Sequence, residues 1–96
     1  MATNRPKATA TELISNDRVI VTEWRFAAGA ETGWHRHGYD YVVLPQTNGK
    51  LRLETEDGDQ YADLSIGKPY FRNLGVEHNV INANDYEFVF VEVEIK

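Results

Sequence analysis

Two histidines one residue apart, His35 and His37 in the stretch GWHRHGYDYVV (residues 33 to 43), are the side chains best suited to chemistry in this chain. On an extended strand residues i and i+2 share a face and lie about 7 Å apart along the backbone, so both imidazoles can reach one ion. Imidazole suits Fe, Ni, Cu and Zn alike, and affinity order does not choose among them. The third and last histidine, His78, lies further on, in GVEHNVIN. The competing reading is a set of ordinary surface or hydrogen-bonded histidines, and spacing alone leaves both readings open. The chain has no cysteine, which excludes disulfides, thiolate clusters and a cysteine nucleophile. Any metal ligand must therefore be His, Asp or Glu.

These residues have to be positioned by one small domain, because 96 residues suffice for a modest core and no more. Residues 1–16 are polar with little periodicity and read as an N-terminal arm, followed by a single domain over 17–96. RVIVTEWRF has strand period, with Ile20, Thr22, Trp24 and Phe26 on one face. DYVVLP is a short apolar run stopped by Pro45, and QTNGK carries an Asn-Gly pair that suits a tight hairpin turn. KLRLETE, QYADLS, YFRN, VEHNVIN and EFVFVEVEI supply further strands between turn signals. About seven short strands and no helix indicate an all-β antiparallel sandwich or barrel. The last strand is apolar on both faces from Phe88 to Val91, so one face would pack inward and the other against a second subunit, giving a homodimer.

A net charge of −5 with dispersed acidic residues offers no basic face for phosphates, which argues against nucleic-acid binding. No apolar run matches a signal-peptide core or a membrane span, so the expectation is a soluble cytoplasmic protein with no membrane partner.

The two histidine regions together resemble the motifs of the cupin superfamily. The first motif is matched by Gly29, AETGW, His35, Arg36, His37, GYD, then Tyr41 where the family usually has Glu, with Gly49 one residue late. The second is matched by Gly67, KPYFR, Asn73 in the Pro position, Leu74, Gly75, VE, His78, NVI and Asn82. The DYVV and GVEHNVINAND stretches are further similar to a small-cupin subgroup associated with β-alanine degradation. The resemblance implies a small jelly-roll β-barrel holding one divalent metal through His35, His37 and His78. The family glutamate does not carry over. Asp40 is the nearest carboxylate, but on a regular strand it points away from the histidines.

Three neutral imidazoles leave a divalent ion's charge uncompensated and one to three positions open to water, O₂ or substrate, an arrangement that favours chemistry over a structural staple. The family implies Fe(II) first, as in three-histidine dioxygenases, with Zn, Ni or Mn as alternatives that would point to isomerase or hydrolytic chemistry. A small organic acid or amine is the expected substrate. Tyr41 is the candidate catalytic residue, through hydrogen bonding or proton donation by its hydroxyl, or else a core aromatic filling the space of the missing Glu. Trp24, Phe26 and Asn82 are the candidate pocket residues, with ordinary core packing the competing reading for the two aromatics and a backbone or turn role the competing reading for Asn82. Arg72 or Arg52 could clamp a carboxylate if inward, although alternation puts Arg52 outside. The alternative to an enzyme is a non-catalytic ligand-binding or sensing module, since the fold alone does not supply a reaction.

Overall fold

The alternation in VIVTEWRF becomes a strand, and so does every other segment with strand period, in a computed structural model that describes residues 4–96. Nine strands follow in order: β1 Thr9–Ser15, β2 Val19–Phe26, β3 His35–Arg36, β4 Asp40–Pro45, β5 Gly49–Thr55, β6 Gly58–Leu64, β7 Tyr70–Arg72, β8 Glu77–Asn82 and β9 Phe88–Ile95. No helix occurs among the described residues, so none there is long and apolar enough to cross a membrane.

All named strand pairs are antiparallel and fall into two sheets, β1-β2-β9-β4-β7 and β3-β8-β5-β6. Every connection except β1–β2 and β5–β6 crosses from one sheet to the other, which is the winding of a jelly roll. The Asn48-Gly49 pair is therefore not a hairpin turn, as the sequence suggests, but the crossover from β4 to β5. Its geometry is fixed from outside: the Asn48 side chain accepts from Ile66 N–H at 2.8 Å, and its carbonyl accepts from the Tyr86 hydroxyl at 2.8 Å. The true tight hairpin is β5–β6, where Thr55 faces Gly58.

The segment expected as an arm is in large part a strand. β1 pairs along β2 from Thr9 opposite Arg25 to Ser15 opposite Ile20, with a bulge between Glu12 and Ile14. Asn16 closes the turn into β2 by accepting from the Arg18 and Val19 amides. Ahead of β1, Arg5 pairs with Glu31 at 2.9 Å and Ala8 N–H donates to the Glu31 carbonyl, so the segment crosses to the other side of the barrel. Residues 1–3 of the expected arm lie outside the described residues.

The inner face of the larger sheet is set by register. One row across β2, β9 and β4 runs Trp24, Phe90, Pro45; the next, reaching β7, runs Thr22, Glu92, Val43, Tyr70; a third runs Ile20, Glu94, Tyr41, Arg72. The smaller sheet answers with His35 beside His78, Leu53 beside Val80 and Leu51 beside Asn82. The apolar core (Phe26, Phe88, Phe90, Leu51, Leu64 and Val43) thus lies toward one end of the barrel, and the polar inward residues lie toward the other.

Candidate metal centre

β3 contributes only two residues, but its pairing with β8 sets His35 directly across from His78. His37 follows β3 and is held by two backbone hydrogen bonds: its N–H donates to the Val76 carbonyl at 2.9 Å, and its carbonyl accepts from Gly75 N–H at 2.7 Å. Gly75 has φ +93°, a conformation that L side chains rarely adopt, so the turn bringing Val76 and His78 back to the His37 strand needs glycine. As a result the three Nε2 atoms converge, 3.0 Å between His35 and His37 and 3.1 Å between His37 and His78. With metal–nitrogen bonds of about 2.1 Å, donors at right angles stand about 3.0 Å apart and tetrahedral donors about 3.4 Å apart. The observed separations fit three adjacent positions around one ion.

Neighbouring groups orient the donors. His35 Nδ1 lies 2.8 Å from the Gly33 carbonyl, which can only accept, so the ring proton belongs on Nδ1 and Nε2 presents a lone pair inward. Gly33 is in turn held by donating its N–H to Asn79 Oδ1 at 2.9 Å, and Asn79 is braced by Glu31 and Glu54. His37 stacks on Tyr41, with ring centroids 4.0 Å apart. Burial lowers the His37 pKa to about 4, with a further push from His35, and lowers that of His78 to about 3, where His35, His37 and Arg72 add to the effect. Both rings are therefore neutral near pH 7, the form that ligates. Burial likewise pushes the Tyr41 hydroxyl well above the ordinary phenol value, so it is a protonated donor.

Two cavities adjoin the cluster. The smaller, about 20 Å³, has all three histidines, Trp24, Tyr41 and Glu92 in its wall and admits little more than one water-sized body. The larger, about 220 Å³, shares Tyr41, Leu53, Tyr70 and His78 with it and adds Thr55, Gln60 and Arg72.

A crystal structure of a cupin domain from Bordetella pertussis Tohama I superposes with a TM-score of 0.96 at 59% identity, over 99% of each chain. The chain is also 64% identical over 92 residues, 96% of its length and 97% of the relative's, to the Beta-alanine degradation protein BauB of Pseudomonas aeruginosa. The chain is a BauB-family cupin. No family model matches it. The polyketide cyclase RemF from Streptomyces resistomycificus, at 21% identity and a TM-score of 0.72 over 97% of this chain and 70% of its own, shares the fold alone.

The other predicted residues of this cupin divide. Trp24 lines the smaller cavity. Phe26 and Asn82 do not, and their assignment to the pocket is corrected. Phe26 is fully buried in the core against Phe90, and Asn82 spends its amide on the carbonyls of Phe26, Ala27 and Tyr86 while its Oδ1 accepts from Asn84. Asp40 caps the turn at Leu74 N–H at 2.8 Å, away from the donors, as alternation requires. Arg52 is outside, paired with Asp59 at 2.8 Å. Arg72 does reach the larger cavity, lying over the Tyr70 ring at 4.6 Å.

The sequence reading missed Glu92, which is 7% exposed and directed into the smaller cavity, with Oε2 4.0 Å from His37 Nε2. Burial, with Glu94 beside it, raises its pKa to about 7 against a hydrogen bond from Trp24. The available signal was period two: Phe88, Phe90, Glu92 and Glu94 share a face, so inward phenylalanines predict inward glutamates.

Proposed function

We propose that this cupin is a metal-dependent enzyme acting on a small molecule that bears a carboxylate, with one divalent ion held by His35, His37 and His78. The convergence of three Nε2 atoms at 3.0 and 3.1 Å carries the proposal. Three protein donors leave coordination positions free, and a bound Fe(II) would supply oxidative chemistry there, whereas Zn²⁺, Ni²⁺ or Mn²⁺ would supply Lewis acidity. The chain's own residues bind and orient. Arg72 in the wall of the larger cavity forms no ion pair with any described carboxylate, which leaves its guanidinium to receive a substrate carboxylate beside His78. Tyr41, protonated and shared by both cavities, donates a hydrogen bond toward a ligand bridging them. The relative's part in β-alanine degradation accords with a substrate of this size and charge.

The test is elemental analysis of protein purified anaerobically without chelator or histidine tag, followed by O₂ uptake or isomerisation assays on small amino and carboxylic acids. We expect near-stoichiometric metal, iron first, lost in His35→Ala and His78→Ala and kept in Asp40→Ala, with Arg72→Ala raising KM for carboxylates. Metal-free protein under every condition would sink the reading. Stoichiometric metal with ligand binding but no turnover would make the protein a sensing module instead.

We further propose a cytoplasmic homodimer that pairs through the outer face of the larger sheet. Val93 of β9 lies between Val21 and Val42, Val91 lies beside Leu44, and Phe71 extends the apolar surface from Val42. Sedimentation at micromolar concentration should give twice the chain mass, and Val93→Glu should give the single chain.

A further inference from the structure

His37 and His78 are buried, whereas His35 is half-buried on the two-residue strand β3, so its ring depends most on its hydrogen bonds. Its Nδ1 faces the Gly33 carbonyl at 2.8 Å, and Thr32 Oγ1, 3.3 Å from Nδ1, donates to the same carbonyl at 2.9 Å. Residues 31–33 therefore decide which nitrogen of His35 is left to face an ion. β8 holds this segment on one side through the Thr32 and Val80 backbones, and the chain ahead of β1 holds it on the other. There Glu31 N–H donates to the Pro6 carbonyl at 3.0 Å, Ala8 N–H donates back to the Glu31 carbonyl at 2.8 Å, and Lys7 Nζ donates to the Thr32 carbonyl at 2.9 Å. The side chains add a second grip. Asn79 accepts from Gly33 N–H at 2.9 Å and donates its amide to Glu31 Oε1 at 2.9 Å and Glu54 Oε1 at 2.8 Å. Carboxylates only accept, so the amide has one possible orientation. Two part-buried carboxylates on one neutral amide repel each other, and Arg5 joins them, with Nη1 2.9 Å from Glu31 Oε1 and Nη2 3.7 Å from Glu54 Oε2. Arg52 also reaches Glu54, at 3.4 Å, but among the described residues Arg5 alone pairs with both.

We infer that the chain from Arg5 to Ala8 is a positioning strap for the metal centre, acting through Arg5 and Asn79. Arg5 holds the two carboxylates on Asn79, Asn79 holds Gly33, and the Gly33 carbonyl keeps the His35 proton on Nδ1 and the Nε2 lone pair aimed inward. The inference rests on the reading of the three histidines as a metal centre. It makes the affinity of that centre answer to an ion pair near the barrel surface, with no strap residue touching the ion.

The test has two readouts on the full chain: Co²⁺ affinity, by competition against a chromophoric chelator, and the tautomer of His35 in metal-free protein, by nitrogen NMR of labelled histidine. Asn79→Ala should weaken Co²⁺ at least about tenfold, as loss of a group behind a ligand commonly does, and should raise the share of His35 protonated on Nε2. Arg5→Ala, one contact further out, should fall between Asn79→Ala and the parent on both readouts. Adding Glu54→Gln to Arg5→Ala removes the repulsion while keeping an acceptor for Asn79, so it should restore affinity and tautomer; a strap that merely stabilised the fold would not be repaired this way. The Arg5 pair carries the test if Asn79→Ala does not fold. Parental affinity and tautomer in folded Arg5→Ala, or a loss there that Glu54→Gln leaves unrepaired, would overturn the inference, while binding abolished in His78→Ala would leave the histidine centre standing. Failure of the unaltered protein to bind Co²⁺ would overturn both.

Discussion

The two ends of the barrel are built from the same strands and differ in what those strands turn inward. Along β9 the inward residues run Phe88, Phe90, Glu92, Glu94, and along β8 they run Asn82, Val80, His78. At the first end Phe26, Phe88 and Leu51 are almost inaccessible, and Asn82 ties together the carbonyl at the end of β2 and those of Ala27 and Tyr86. At the other end three imidazoles and a carboxylate face one another around a cavity of about 20 Å³. Apolar burial stabilises the fold at one end, and that stability holds together polar groups which would otherwise repel or hydrate one another at the other. The difference teaches that fold and site can be damaged separately.

That separation gives the largest expected effect. Phe88→Ala removes a fully buried ring and should destabilise the protein by about 3–5 kcal/mol in urea unfolding, while any molecules that remain folded bind metal as before. His78→Ala should do the reverse, abolishing metal binding with a far smaller effect on the metal-free unfolding midpoint, since it relieves a crowded cluster of nitrogens. A Phe88→Ala protein that is stable but binds no metal would break the comparison, because the two ends would then be coupled.

How much of this was legible follows from which signals are local. The strands were, because alternation is a local property, and so were the histidines, because i, i+2 spacing fixes a common face. The Asn48-Gly49 turn was misread because the dipeptide favours a reversal in either architecture and only the sheet order decides between hairpin and crossover. β1 reads as an arm because all seven of its residues are exposed in the fold, so its sequence carries no buried stripe; its pairing with β2 is through the backbone. Asn82 matched a motif position, and the motif could not distinguish a residue that seals the far end from one that lines the pocket. Glu92 was legible in principle. Its parity with Phe88 and Phe90 was present in the sequence, but a buried glutamate contradicts the usual expectation that charge faces water, and only the histidines across the barrel give it a reason to be inside.

The smallest effect is the pH dependence of the metal-free protein, where the groups at the site end oppose one another. His37 and His78 have folded values of about 4 and 3, below the unfolded value of about 6.5, so between these limits the unfolded chain binds protons that the folded one does not. Their effect is to lower stability as the pH falls from about 6.5 toward 4. Glu92 has a folded value of about 7, above its unfolded 4.5, so its contribution is full below 4.5 and is lost as the pH rises through 7. Two imidazoles outweigh one carboxyl on the acid side, whereas above about 6.5 the carboxyl acts alone. With chelator present, the thermal midpoint should therefore peak near pH 6.5. His78→Gln should flatten the acid limb, and Glu92→Gln should remove the decline on the alkaline side, leaving a protein at least as stable as the parent at pH 8 because a neutral amide replaces a buried charge. An acid limb of equal slope in His78→Gln would mean that the ring is already hydrated in the folded state, and the contrast between a buried polar site end and a buried apolar core end would have to be given up.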